Sequence, residues 1–293
     1  MEKRVIFKGW VLPLALLAPQ VAVTLVFFFW PAGQAIWQSL FIPDPFGFSM
    51  QFVGLGNFEF LFADPYYRNS FITTAIFSTS VTVATMAVAL ALAVMADRLI
   101  KGSGAYRTLL IWPYAVAPAV AGVLWLFMFN TRIGVVSWYL GQLGYDWNHV
   151  IDGGEAMTLV VIASAWGRIS YNFLFFLAGL QAIPRSVIEA AAIDGARPWK
   201  RFVTIVLPLL SPVTFFLLVV NIIYAFFETF GVIHTITAGG PQQSTTILVY
   251  KVYADGFVGQ DLGSSAAQSV ILLVVVGLLT VLQFKFVERR VHY

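Results

Sequence analysis

Six stretches of this 293-residue chain run for about twenty residues with almost no charge, and that pattern leaves few folds open. An α-helix rises 1.5 Å per residue, so about 20 apolar residues cover the roughly 30 Å of a bilayer's hydrocarbon. The stretches run from Val11 to Trp30, about Phe71 to Ala96, Thr108 to Asn130, about Met157 to Leu180, about Leu207 to Phe230 and about Ala266 to Phe286. A soluble domain carries about 25% charged residues. Here 11% are charged and 59% hydrophobic, too few charges for a water-facing surface on a domain of this length. The expectation is an all-α membrane protein with six transmembrane helices. Pro113 and Pro118 should kink the third span, and Gly167 with Arg168 should interrupt the fourth.

Basic residues in short loops set orientation. With the N-terminus inside, the inner segments hold Lys3, Arg4, Lys8, Arg98, Lys101, Arg107, Arg185, Arg197, Lys200, Arg201, Lys285, Arg289 and Arg290. The outer segments hold only Arg68, Arg132 and Lys251, which places both termini in the cytoplasm. This bias reads as topology and lipid contact, with no nucleic-acid role. The first span follows a basic start, but it is longer than a signal peptide's apolar core and no A-x-A site follows Trp30. It reads as an uncleaved anchor. Trp30, Trp37, Trp112, Trp138, Trp147 and Trp166 lie near expected span ends or outer loops, where interfacial anchoring explains them. The chain has no cysteine, and His149, His234 and His292 are far apart, so no metal site or cofactor is expected. The outer loops are rich in Gly and Pro, and the segment TTILVYKVYADGF suits a short amphipathic helix.

The most informative inner loop is IPRSVIEAAAIDGARPWKRFVTIVLPLL, Ile183 to Leu210. It reads as helix, break, helix. Ser186 is placed to cap the first helix, with Glu189 three residues on closing a capping box. Ala190, Ala191 and Ala192 favour helix with little bulk, Gly195 permits a turn, and Pro198 suits the start of a second helix. A compact elbow with a small-residue surface can seat in a cleft of a soluble partner and transmit a push.

The spacing of Glu189-Ala190-Ala191, Gly195, Ile205 and Leu207-Pro208, ahead of the penultimate span, resembles the EAA motif of ATP-binding-cassette importer permeases. The segment TAGGPQQST (Thr237 to Thr245) looks like the outer loop of the sugar and glycerol-phosphate branch. PYAVAP (Pro113 to Pro118), YDWNH (Tyr145 to His149) and SYNFLFF (Ser170 to Phe176) are similar to sn-glycerol-3-phosphate permeases of that branch. The resemblance implies a type I importer (MetI-like) bundle in a bacterial inner membrane. It implies an anchor helix and first outer loop over 1–66, a permease core over 67–287 with a coupling loop at 182–208, and a tail at 288–293. It also implies that Glu189, Ala190, Ala191, Asp194 and Gly195 meet an ATPase subunit. The implied partners are a second, homologous permease chain, two ATPase subunits and an external solute-binding protein. The implied function is uptake of sn-glycerol-3-phosphate or glycerophosphodiesters by alternating access.

No G-x-x-x-x-G-K-[ST] occurs, so ATP hydrolysis falls to a separate chain and no catalytic residue is expected here. Polar residues at membrane depth are costly and mark candidate path residues. Arg168 and Asn172 are four apart on the fourth span, and Asn221, Tyr224 and Glu228 share a face of the fifth. Together they suggest a polar stripe in which Arg168 attracts a phosphate. A permease for maltose-type oligosaccharides shares the same loop signatures. An ion-coupled carrier normally shows mid-span carboxylates, for which only Glu228 is a candidate, and an intramembrane enzyme lacks any nucleophile with a base.

Overall fold

The computed structural model describes residues 9–44, 49–97 and 103–287. The tail at 288–293 and the basic residues Lys3, Arg4, Lys8, Arg98, Lys101, Arg289 and Arg290 lie outside the described residues. Among those described, four helices are long and apolar enough to cross a membrane, and six segments qualify when each of two bent pairs counts as one span. The chain divides into two compact units, Met1–Asp64 with Val252–Leu273, and Pro65–Lys251 with Val274–Tyr293.

In the first unit, α1 (Val11–Gln38) is a 28-residue helix, longer than the stretch expected. Pro31 lacks an N–H to continue the ladder, and a widened π turn over Leu25–Phe29 precedes it, so the helix passes the proline without breaking. A short hairpin follows, β1 (Phe41–Pro43) against β2 (Met50–Phe52), with Phe41 opposite Phe52. Then comes α2 (Gly56–Ala63), whose buried Asn57 donates to the carbonyls of Ser39 at 2.8 Å and Phe41 at 3.0 Å.

The second unit is built on α3 (Pro65–Asp97) and α7 (Gly153–Ala182), which pack along one another. Apolar area gives little drive between helices in lipid, so close packing must supply the attraction. Ala89, Ala93 and Ala96 of α3 provide it, lying fully buried beside Phe173, Phe176 and Leu177 of α7. Asp152 caps α7, accepting from the backbone N–H groups of Gly154 at 2.8 Å and Glu155 at 2.9 Å. Gly167 and Arg168 do not interrupt α7, contrary to expectation, because one glycine costs only about 1 kcal/mol in a thirty-residue ladder.

The third stretch turns far more sharply than a kink. It comprises α4 (Ser103–Ile111), a 3₁₀ turn over Trp112–Ala115 and α5 (Pro118–Met128), with 103° between its two arms. The steric demand of Pro118 on the preceding residue keeps Ala117 extended, and Val116 is extended as well. After α6 (Val135–Gln142) and α7, the chain forms α8 (Arg185–Ile193), α9 (Pro198–Leu209) and α10 (Ser211–Phe227). Between α9 and α10 the axis bends by 67°, where Pro208 and Pro212 both lack donors. The chain ends with α11 (Phe230–Ile236), α12 (Leu248–Tyr253) in the segment expected to form a short outer helix, and α13 (Leu262–Leu282).

Candidate functional site

The elbow between α7 and α10 takes the helix–break–helix form expected, with a different start. Pro184 occupies the N-cap position in extended conformation and α8 begins at Arg185. Ser186 therefore lies inside the first turn, no side chain caps the helix, and the Ser186–Glu189 capping box does not form. The far end closes tightly. Ala196 N–H donates to the Ala191 carbonyl at 3.0 Å and Gly195 N–H to that of Ala192 at 3.1 Å. Gly195 sits at φ +76°, completing a Schellman turn that a residue with a Cβ adopts only under strain. Arg197 then stays extended and Pro198 opens α9.

Ile183, Val206 and Leu210 form a buried cluster that roots the elbow on the bundle, with Leu90, Leu180, Ile188 and Phe202 packed around it. Glu189, Ala190, Asp194 and Gly195 are exposed, while Ala191 is buried at 9% exposure. Two apolar side chains that sequence reasoning passed over also face outward, Ile193 at 87% and Trp199 at 74% exposure. The elbow thus presents two exposed apolar side chains, one on α8 and one on α9, along with the exposed charged residues Glu189, Asp194, Arg197 and Lys200.

The second candidate is a cavity of about 230 Å³ where the broken helix meets α7 and α10. Pro113, Tyr114, Val116 and Pro118 form one wall, Gly167 and Arg168 another, and Tyr224 and Glu228 a third. The Arg168 guanidinium carbon lies 4.4 Å from the centre of the Tyr171 ring and 4.6 Å from that of Tyr224. Two aromatic faces attract the cation while leaving its fork free for an anion. Arg168 Nε is buried and has no hydrogen-bond partner. Tyr224 is held in place by donating to the Ser164 carbonyl at 3.1 Å, and Tyr114 stacks on Tyr171 with ring centres 5.8 Å apart. Glu228 follows the last residue of α10 and is exposed.

The structure brings Arg168, Tyr224 and Glu228 to one cavity, but not Asn172 and Asn221. Those two are buried against each other between α7 and α10, away from its walls. Tyr114 joins the cavity lining and Tyr171 holds Arg168 beside it, although their spacing gave no sign of either role. Trp166, expected near a span end, sits in the middle of α7, with its ring 6.2 Å from Trp112 and 6.0 Å from Trp125.

Outside the spans, the loop before α7 is ordered around Glu155. Its carboxylate accepts from the Tyr145 hydroxyl at 2.7 Å and from the Asn148 backbone N–H. The hydrogen bond to Glu155 pushes the Tyr145 phenol up from its ordinary value. His149, 4% exposed, accepts from the Trp147 indole through Nδ1 at 3.2 Å, and burial lowers its pKa against the opposing charge of Glu155. The Thr237–Thr245 loop closes through Thr237 and Thr245 hydroxyls 2.7 Å apart and through Thr245 donating to the Gly240 carbonyl at 2.9 Å.

Comparison with known proteins shows the family and the fold. Residues 3–293 match the family described as binding-protein-dependent transport system inner membrane component. The sn-glycerol-3-phosphate transport system permease protein UgpA of Rhizobium meliloti is 59% identical over 291 residues, 99% of each chain. That of Pectobacterium atrosepticum is 59% identical over 292 residues, covering 100% of this chain and 99% of the relative. Among solved structures, a chain of a bacterial ABC transporter that imports the acidic polysaccharide alginate superposes with a TM-score of 0.82 at 19% identity, over 95% of both chains. The expected permease bundle is thus the observed fold, and the chain belongs to the family of binding-protein-dependent transport system inner membrane components, as a permease subunit of an ABC importer.

Proposed function

We propose that this chain carries sn-glycerol-3-phosphate, or glycerophosphodiesters, across the inner membrane by alternating access. The reading rests on 59% identity along essentially the whole chain to permeases of sn-glycerol-3-phosphate transport systems. The cavity adds a chemical reason. A cation held between two tyrosines in a low-dielectric site needs a counter-charge, and a phosphate supplies one in bidentate, charge-assisted hydrogen bonds. A neutral oligosaccharide offers Arg168 no such partner. Arg168, Tyr224 and Glu228 are the proposed path residues, with Tyr171 holding the guanidinium.

The working complex in this proposal has a second, homologous permease chain, two ATPase subunits and a solute-binding protein outside the membrane. Both termini and the elbow face the cytoplasm. Glu189, Ala190, Asp194 and Gly195 couple to the ATPase, the buried Ala191 supports the helix behind them, and Ile193 and Trp199 supply apolar contact area on the same knob. Seating that knob converts closure of the ATPase pair into a displacement of α7 and α10, the elements on which Arg168 and Tyr224 stand.

Reconstitution of the complete transporter in liposomes with internal ATP tests this reading. Uptake of labelled sn-glycerol-3-phosphate should require the binding protein and fall with excess glycerophosphodiester, but not with maltose. Arg168→Ala should lower uptake by roughly tenfold while assembly is unchanged. Competition by maltose alone overturns the solute assignment, and unimpaired uptake by the assembled Arg168→Ala complex removes Arg168 from the path.

A further inference from the structure

Asn172 and Asn221, which the sequence suggests for the solute path, form a closed amide pair. Asn221 Nδ2 donates to Asn172 Oδ1 at 2.6 Å, and Asn172 Nδ2 donates to Asn221 Oδ1 at 3.0 Å. The second N–H of each amide turns back on its own helix, to the Arg168 carbonyl at 3.0 Å and the Leu217 carbonyl at 2.8 Å. All the amide donors are thereby used. The two side chains are 0% and 1% exposed, so neither is offered to a solute.

The pair also has a defined place. Along the contact of α7 with α10, Tyr224 meets the Ser164 carbonyl, Arg168 lies on the Tyr224 ring, and Asn172 meets Asn221. These ties fall on successive turns of α7, because residues four apart share a helix face. Sliding one helix past the other by a turn, about 5.4 Å, would orphan both amides in a dry interior, where an unpaired polar group is expensive. Farther along, a Cβ on Gly179 would stand 3.0 Å from the Val213 side chain of α10, so the helices also approach closely there.

We propose that the Asn172–Asn221 pair is a positioning clamp that keeps α7 and α10 in one register throughout the transport cycle. Arg168 and Tyr224 then move together as a rigid wall of the cavity, and opening is confined to the broken helix α4–α5 on the other side. The inference rests on the transport reading above for its cycle, but not on the identity of the solute.

A double-mutant cycle separates a clamp from two independent path residues. Asn172→Leu and Asn221→Leu each leave one buried amide without its partner, and each should lower uptake per assembled complex by about tenfold. The double variant removes both amides and should recover to within about threefold of wild type. A double variant that falls to the product of the single losses overturns the clamp. The natural absence of cysteine permits a direct test of the motion. In Asn172→Cys/Asn221→Cys, thiols bridged by mercuric ion should leave uptake and binding-protein-stimulated ATP hydrolysis within about twofold of the unbridged protein, with single-cysteine variants correcting for effects elsewhere. Loss of both activities on bridging, restored by excess thiol, means the helices must part and sinks the proposal. Wild-type complex that hydrolyses ATP on addition of the binding protein yet imports no sn-glycerol-3-phosphate overturns the solute assignment alone and leaves the clamp reading intact.

Discussion

Arg168 and His149 are both held by aromatic neighbours, to different ends. The Tyr171 and Tyr224 rings fix the Arg168 guanidinium at the cavity wall. The neutral form of His149 is favoured, because burial outweighs the attraction of Glu155 and Nδ1 accepts a hydrogen bond from the Trp147 indole N–H. An opened loop protonates His149 near the ordinary value of about 6.5, whereas the closed loop does so only at lower pH. The open form thus binds more protons as pH falls. His149 contributes fully to the closed loop above about pH 6.5, and that contribution declines from there until the folded pKa is passed. Hydrogen exchange over residues 145–151, corrected for the intrinsic pH effect, should show more opening near pH 5 than near pH 7 in wild type. His149→Gln should remove most of that difference, and an unchanged pH dependence in the variant would count against the neutral-histidine account. Such detail was only partly legible in the sequence. Spacing put Arg168 and Asn172 on one face of a helix, but which neighbour that face meets is a property of packing. The same face therefore divides, with Arg168 turning to the cavity and Asn172 to its twin on α10.

Helix ends and breaks were legible where a residue type forces the backbone, and illegible where several candidates compete. Gly195 and Pro198 mark the turn and restart of the elbow, because only glycine readily takes positive φ and proline suits a first helical turn. The N-terminus of α8 was misread since Ser186 and Pro184 both suit a helix start, and the extended backbone at Pro184 takes the cap. Likewise Pro113 and Pro118 announced a disturbance, but the 103° turn depends on two consecutive extended residues that no propensity scale orders. The elbow's geometry, rather than any single contact on it, is what Gly195 secures. Gly195→Ala meets no neighbour, as nothing lies within 4 Å of the new Cβ, so its effect comes through the backbone alone. Left-handed conformation costs a non-glycine residue about 1–2 kcal/mol, enough to favour reopening the turn by roughly tenfold. The bundle should assemble normally while copurification with the ATPase subunit drops by a similar factor. Normal ATPase recovery with this variant would show that the elbow's turn does not govern docking.

At the scale of the whole chain, the two bent pairs decide the topology. If α4–α5 and α9–α10 each cross the membrane, the elbow lies on the same side as both termini, and the loop holding Ile151 lies on the opposite side. If α4–α5 instead turned back within the membrane, α7 would run the other way and the elbow would face outward. The basic residues favour the first arrangement, with Arg185, Arg197, Lys200 and Arg201 in the elbow and only Arg132 in the loop from 129 to 152. Ile151 is 74% and Ile193 87% exposed, so a thiol at either position is not shielded by the protein itself. Because the chain has no cysteine, one thiol placed at either position reports without background. In intact cells a membrane-impermeant maleimide should label Ile151→Cys and spare Ile193→Cys, and permeabilised cells should yield both. The reverse pattern would make the α4–α5 pair re-entrant and put the elbow outside. An elbow there could not meet an ATPase that draws on cytoplasmic ATP, so this one labelling experiment bears on the span count, the orientation and the coupling surface together.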